Sequence, residues 1–481
     1  MLEGTSGLFS ICCFLFIIIA GITFNLAGGF TRATGSYVFA YAILGAILGF
    51  FWKAILGEPA DSNLLVPQTT IEVYLGGICS MLAAVYVSRK LATKRPLLGT
   101  MLEERKMQNA TVGCMLVGIL IVGLSAVMPH GNGTVLSALQ QVDRFLPLAI
   151  IIGVTYQIRK SKGTSSINLP VVLSFAFLFF SGVVGFSKEG MLTPFVCWLV
   201  AACCMRYRVS IPQIIGGILT GVFIFQFLVP FSQYGRLYRS NSFSDQLDAS
   251  IDLLSRLGYV RQQYKEQEAE TNEDDDGPKV QYYDTKQGFF DRLQMLSMDD
   301  ALINVTQQGH VFGIYPILAS FENLIPRVFW PNKPRIYFAT MYAQEIGGLL
   351  PEDDTTTGIS FTPTAEGFHL ARWAGVFVVA PIIWTMLFTL FDSLCGDVRQ
   401  APWGLLVIPI YAHLAPEGGL SGIIYILGYG TMGILFTAFA AAYVMPIIGT
   451  MLAGPEAIGL RRSARIRSIP SRRRPAPSPE V

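Results

Sequence analysis

Four groups of residues in this 481-residue chain combine charge with a setting in which charge can act. Glu366 and His369 lie three apart in FTPTAEGFHLARWAG, residues 361–375, and so share one face of a helical turn. A carboxylate or imidazole at a water-accessible mouth can take a proton from a hydroxyl. The plainer reading is an acid favouring a helix start and an interface histidine. Arg236 and Arg239, in QYGRLYRS, are also three apart. Their forked guanidinium groups match phosphate oxygens in pairs, which suits a diphosphate; alternatively they sit at lipid headgroups. Lys188, in FSGVVGFSKEGMLTPF, has Glu189 beside it. It reads either as a fixed cation facing an anion or as a lysine reaching for the membrane surface. The fourth group is IPRVFWPNKP, residues 325–334. Pro326, Pro331 and Pro334 impose a non-helical path, which holds Arg327, Lys333 and the adjoining Arg335 at low entropic cost. Phe329 and Trp330 offer flat apolar faces to a ring or to lipid. The plainer reading is an elbow that returns the chain to an apolar layer.

The elements that must position these groups are mostly apolar. The chain is 52% hydrophobic and 14% charged, with mean hydropathy +0.48, whereas soluble proteins are about a quarter charged. Eleven apolar runs, 8–28, 37–57, 71–88, 110–128, 142–158, 167–186, 190–206, 211–231, 374–391, 402–416 and 421–445, read as transmembrane helices. The expected fold is an all-α polytopic membrane protein with about 11 spans. Glu3 is the one charge in the first 28 residues, so the first run lacks a basic leader and is expected to be retained.

The organisation follows: a membrane part at 1–231, a long polar loop at 232–373, further spans at 374–448 and a basic tail at 449–481. Lys and Arg orient the set. With the N-terminus outside, cations from Arg32 to Arg399 and the arginine-rich tail fall inside, while the short outer loops hold only Lys188. The long loop is then external. Leu247, Ile251, Leu254 and Leu257 recur at helical spacing within it; KEQEAETNEDDDGP reads as a mobile acidic stretch; a second helix is expected over 288–304; and 316–373 is aromatic enough to pack at the membrane mouth.

Other chemistries are disfavoured. Seven of the eight cysteines lie in apolar runs and none forms CxxC, so neither zinc nor a disulfide frame is expected. No phosphate-binding glycine loop is present, which disfavours chemistry powered by a cytosolic nucleotide. His130 and His310 lack partners at ligand spacing, His413 lies in an apolar span, and none of the three receives a role.

Taken in order, FSKEG, GRLYRS, LIPRVFWPNKP and ISFTPTAEGFHLARWAGVF resemble the oligosaccharide repeat-unit polymerases, the Wzy-like group of the O-antigen polymerase and ligase superfamily. The resemblance covers roughly residues 170–395, and IPR-x-x-WP-x-KP is its most specific part. It implies a GT-C-like glycosyltransferase of the bacterial inner membrane, inverting and independent of metal or other cofactor. Such enzymes join undecaprenyl-diphosphate-linked oligosaccharides at the outer face, with a chain-length regulator and a flippase as partners and no nucleic acid. It implies that Lys188, Arg236, Arg239, Arg327, Lys333 and Arg335 hold the diphosphate. Glu366 or His369 would act as base, and Phe329 and Trp330 would bind sugar. These families often carry Arg where this chain has Lys188, which keeps the charge but loses the fork. Two other readings are a ligase-like transferase and, from a different class, a flippase or exporter of lipid-linked glycans.

Overall fold

The computed structural model describes residues 4–99, 101–127, 144–238, 243–273, 280–288, 290–325, 329–330, 332–334, 336–347, 349–350 and 358–452. Among them there is no strand. One isolated parallel bridge joins Phe361 to Gly418.

Each of the eleven apolar runs is a helix: α1 Gly7–Leu26, α2 Ala33–Leu56, α3 Pro67–Leu91, α4 Glu104–Val127, α5 Phe145–Lys160, α6 Leu169–Val184, α7 Lys188–Cys204 and α8 Ile211–Tyr238. The helices of the long polar loop intervene before α15 Gly375–Cys395, α16 Trp403–Glu417 and α17 Gly419–Met451. Seven helices among the described residues are long and apolar enough to cross a membrane: α1 to α4, α8, α15 and α17. The architecture is therefore that of a polytopic membrane protein. The other four contain 15 to 17 residues. At 1.5 Å per residue they reach about 23–26 Å, short of the ~30 Å hydrocarbon core. The expected count of eleven full spans is thus reached only if these four cross a locally thinner layer or in company with their neighbours.

The membrane part packs through aromatic residues and small ones. Trp384 of α15 donates its indole N–H to the Tyr37 hydroxyl at 3.0 Å, and Tyr37 meets Tyr411 of α16 edge-on at 5.2 Å. All three are fully buried; the Trp384 N–H and the Tyr37 hydroxyl serve each other, while the Tyr411 hydroxyl finds no partner among the described residues. Between α4 and α17 the backbones touch: a Cβ at Gly113 would collide with the Met445 carbonyl.

The segments expected inside meet one another at one end of the bundle. Asp392 of α15 accepts from Arg32 at 3.3 Å and Thr34 at 2.9 Å. Leu97 N donates to Ser393 O, Val398 N to Thr31 O, and Arg159 to the Arg399 carbonyl.

The opposite end carries the polar loop: α9 Phe243–Ser255, α10 Leu257–Glu273, α11 Leu296–Gln307, α12 Tyr315–Asn323, α13 Phe338–Glu345 and α14 Pro363–Ala371. Three expectations are corrected here. The expected apolar stripe does not form one packed face: Leu257 belongs to α10, where it is partly buried, and in α9 Ile251 and Leu254 are exposed whereas Ser250 and Leu253 are buried. The acidic stretch is helical as far as Glu273. Its Glu, Gln, Lys and Ala are strong helix formers, and Gln262 bonds Glu266 one turn on at 2.9 Å. The second helix begins at Leu296, not 288. Phe290, in a short 3-10 turn before it, stacks flat on Trp52 at 3.5 Å.

Candidate functional site

Glu366 sits in the first turn of α14. This helix starts where it does because Thr362 caps it, its hydroxyl accepting Ala365 N at 3.2 Å, and Pro363 follows at the first helical position. Thr362 is itself held: Asp299 of α11 accepts its backbone N–H at 3.0 Å and its hydroxyl at 2.5 Å, and also the Tyr74 hydroxyl at 2.6 Å. One residue on, Asp300 does the same for α3, accepting Leu65 N at 2.5 Å, Val66 N at 3.0 Å and the Thr70 hydroxyl at 2.7 Å. An adjacent acid pair thus pins the N-terminal ends of two other helices. Burial pushes the Asp299 carboxyl up to about 7 against the pull of its three donors.

Glu366 is 2% exposed and accepts the backbone N–H of Leu420, with Ser421 also donating. Its carboxylate therefore closes the N-terminal turn of α17, whose first N–H groups have no partner within the helix. Desolvation pushes this carboxyl up to about 7, the Leu420 and Ser421 donors opposing. The Tyr342 hydroxyl of α13 faces the same carboxyl, short of complete hydrogen-bond geometry. Gly419 has φ +59°, and a Cβ there would run into Glu366, so both the turn and the close approach require glycine.

A small cleft of about 40 Å³ opens beside Glu366, walled by Phe338, Tyr342, Phe361, Ser421 and Glu417. Glu417 ends α16, and its carboxylate meets His413 Nδ1, one turn back, at 3.1 Å. Two further cations gather around Lys188, itself within electrostatic reach of Glu417. The Gln233 side-chain carbonyl of α8, in the orientation that satisfies its neighbours, accepts from both Lys188 and Arg292. Arg236 follows less than one turn after Gln233. Lys188 experiences Arg292 and Arg236 as repulsion and Glu417 as attraction. Like charges gathered this way are costly without a counter-charge, and Lys188 feels the attraction of Glu417, which lines the cleft.

The candidates read from sequence fall into three groups. Glu366, Lys188 and Arg236 come to this one end, the first lining the cleft and the other two in the cation cluster. His369 does not: it is fully buried behind Glu366, bonds Thr306 through Nδ1 at 2.8 Å, and is ringed by Phe312 and Tyr342. Burial, with His310 nearby, holds its imidazole down at about 4, so it is neutral and away from water, contrary to the expected mouth position. Lys333 donates to the Asn323 and Ile325 carbonyls, both at 2.9 Å, and so caps the end of α12. Phe329 is 80% exposed and Trp330 half-buried, and neither lines the cleft. Arg239, Arg327 and Arg335, with Pro326 and Pro331, lie outside the described residues, as does His130.

Sequence reasoning passes over Arg292, Gln233, Glu417 and His413. His413 and Glu417 did carry a signal, the i, i+4 spacing of a helix ion pair. Arg292 and Gln233 carry none; only the fold brings them to Lys188. Compared with family models, curated proteins and solved structures, the chain finds no match in any of the three.

Proposed function

We propose that the chain is an inverting glycosyltransferase of the bacterial inner membrane that polymerises polyprenyl-diphosphate-linked oligosaccharide units. The observation that carries this reading is one juxtaposition: a cluster of three cations, Lys188, Arg236 and Arg292, lies within electrostatic reach of a cleft holding two carboxyls, Glu366 and Glu417. Glycosyl transfer from a diphosphate carrier needs both parts. The cations offset the charge that grows on the diphosphate as the glycosidic bond breaks. A carboxyl takes the proton of the attacking hydroxyl. Phe338, Tyr342 and Phe361 wall the cleft and limit water that would otherwise hydrolyse the donor.

In this reading the 232–373 loop faces outward, with the N-terminus outside and the tail inside. All eleven helices belong to a GT-C-like membrane domain, and a flippase and a chain-length regulator act on either side of the reaction. The test uses the purified full-length protein in detergent, with lipid-linked repeat units as substrate. Polymer together with released polyprenyl diphosphate is the expected result. Transport of lipid-linked glycans needs two compartments, so product formed in detergent excludes a pure flippase. No product with intact substrate overturns the glycosyl-transfer reading.

A further inference from the structure

The two carboxyls of the cleft are not equivalent. Glu366 is 2% exposed, and its oxygens are committed to the Leu420 and Ser421 donors at the start of α17. Taking up a substrate proton there would weaken the bonds that close a 33-residue helix. Glu417 lines the same cleft with a side chain 36% exposed. Its hydrogen-bonded partner is a side chain, His413, itself 66% exposed. A proton acceptor must come within hydrogen-bond reach of the hydroxyl it serves, and of the two carboxyls only Glu417 presents that access. It is also coupled to the cations: Lys188 feels its attraction, and Glu189 at the start of α7 lies close enough to act on His413.

Resting on the glycosyl-transfer reading, we infer that Glu417 is the catalytic base, that His413 is its positioning partner, and that Glu366 serves as the lock of α17. The acceptor O–H gives its proton to a Glu417 oxygen. The oxygen's electron pair forms the new bond to the anomeric carbon. The bond from that carbon to the diphosphate oxygen breaks, and its electron pair leaves on the diphosphate, beside Lys188, Arg236 and Arg292. The proton then passes from Glu417 through the exposed imidazole of His413 to water, restoring the carboxylate. The balance closes with donor, acceptor and water alone, and one carbon–oxygen bond replaces another at the anomeric carbon with no change of oxidation state.

The test uses the full-length protein in detergent with polyprenyl-diphosphate-linked repeat units extracted from producing membranes. It reads kcat, KM and the melting midpoint. Glu417→Gln is expected to lower kcat at least about 100-fold, with KM within about twofold and an unchanged midpoint; Glu417→Asp recovers part of the rate. His413→Gln lowers kcat about tenfold in the native background and adds nothing to Glu417→Gln, as expected when two groups act as a unit. Glu366→Gln shows its effect chiefly in the melting midpoint, and kcat per folded molecule falls less than about tenfold. Full kcat in Glu417→Gln overturns the assignment, and does so in favour of Glu366 if Glu366→Gln is the inactive one. An additive His413 effect overturns the pairing. An inactive native protein overturns the glycosyl-transfer reading itself, a result distinct from active native protein with active Glu417→Gln.

Discussion

The Glu366 carboxylate accepts the backbone N–H of Leu420, 54 residues further along the chain, and so joins α14 to the first turn of α17. The join leaves no room between them. Gly419, the residue before Leu420, has φ +59°, and any Cβ there would meet Glu366.

Gly419→Ala is therefore expected to destabilise the protein by about 2–4 kcal/mol, combining left-handed backbone strain with displacement of the carboxylate. The measurement is the melting midpoint in detergent. Gly216→Ala, where an added Cβ meets nothing within 4 Å, is the control and should shift the midpoint little. Equal midpoints for both variants would remove the lock from this account.

Stability should depend on pH with two opposed contributions. Asp299 and Glu366 are raised by burial from 3.8 and 4.5 to about 7. In each case the folded state holds the proton over a window where the unfolded chain has lost it. Their contribution is full below about pH 4 and is lost as pH rises toward 7. His369 is lowered from 6.5 to about 4, so its contribution has the other sign: present above pH 6.5, lost as pH falls toward 4. The melting midpoint of Asp299→Asn should fall less between pH 5 and 7.5 than that of the native protein. His369→Gln should fall more steeply. Identical slopes for all three proteins would contradict the buried titrations.

Lys333 and Lys188 should behave as different kinds of lysine. Lys333 holds the end of α12, so Lys333→Met is expected to speed proteolysis near residues 325–333 while leaving KM for the lipid-linked donor within about threefold. Lys188→Met and Arg292→Ala each remove a cation of the cluster, and should weaken diphosphate binding about 10–100-fold, the worth of a charge-assisted hydrogen bond. A KM rise for Lys333→Met matching that of Arg292→Ala would return Lys333 to the anion-binding set.

Asp300→Ala strands two backbone donors and the Thr70 hydroxyl at the start of α3. A loss of about 2–4 kcal/mol is expected, seen as a lowered midpoint and as faster amide exchange at Leu65 and Val66. Unchanged exchange there would mean that water replaces the carboxylate at no cost.

Hydropathy is a local property, and for that reason the membrane helices are legible in the sequence: the expected run 8–28 is the helix Gly7–Leu26, and 374–391 is Gly375–Cys395. The 265–273 stretch is misread because density of charge suggests a solvated coil, while the same residues have high helix propensity. Arg292 is invisible for a different reason. It reaches Lys188 only because the chain returns past α2, where Phe290 stacks on Trp52, and nothing in the spacing of residues around 292 encodes that approach. Lys333 shows the converse: a proline-rich cationic stretch looks made for a ligand, yet its ammonium is taken by the carbonyls of its own loop. Glu366 is legible as a functional candidate, but its partner Leu420 is not, since a backbone N–H has no sequence signature.

The clasp of Asp300 on Leu65, Val66 and Thr70 spans 230 to 235 residues. Ribosomes add about 5–20 residues per second, so the top of α3 is made roughly 10–50 s before the carboxylate that will secure it. Through that interval its donors must be served by water or by lipid headgroups. Assembly therefore finishes when the long polar loop folds down and clips onto helices already in place, and a chain stalled before residue 300 holds the start of α3 still open.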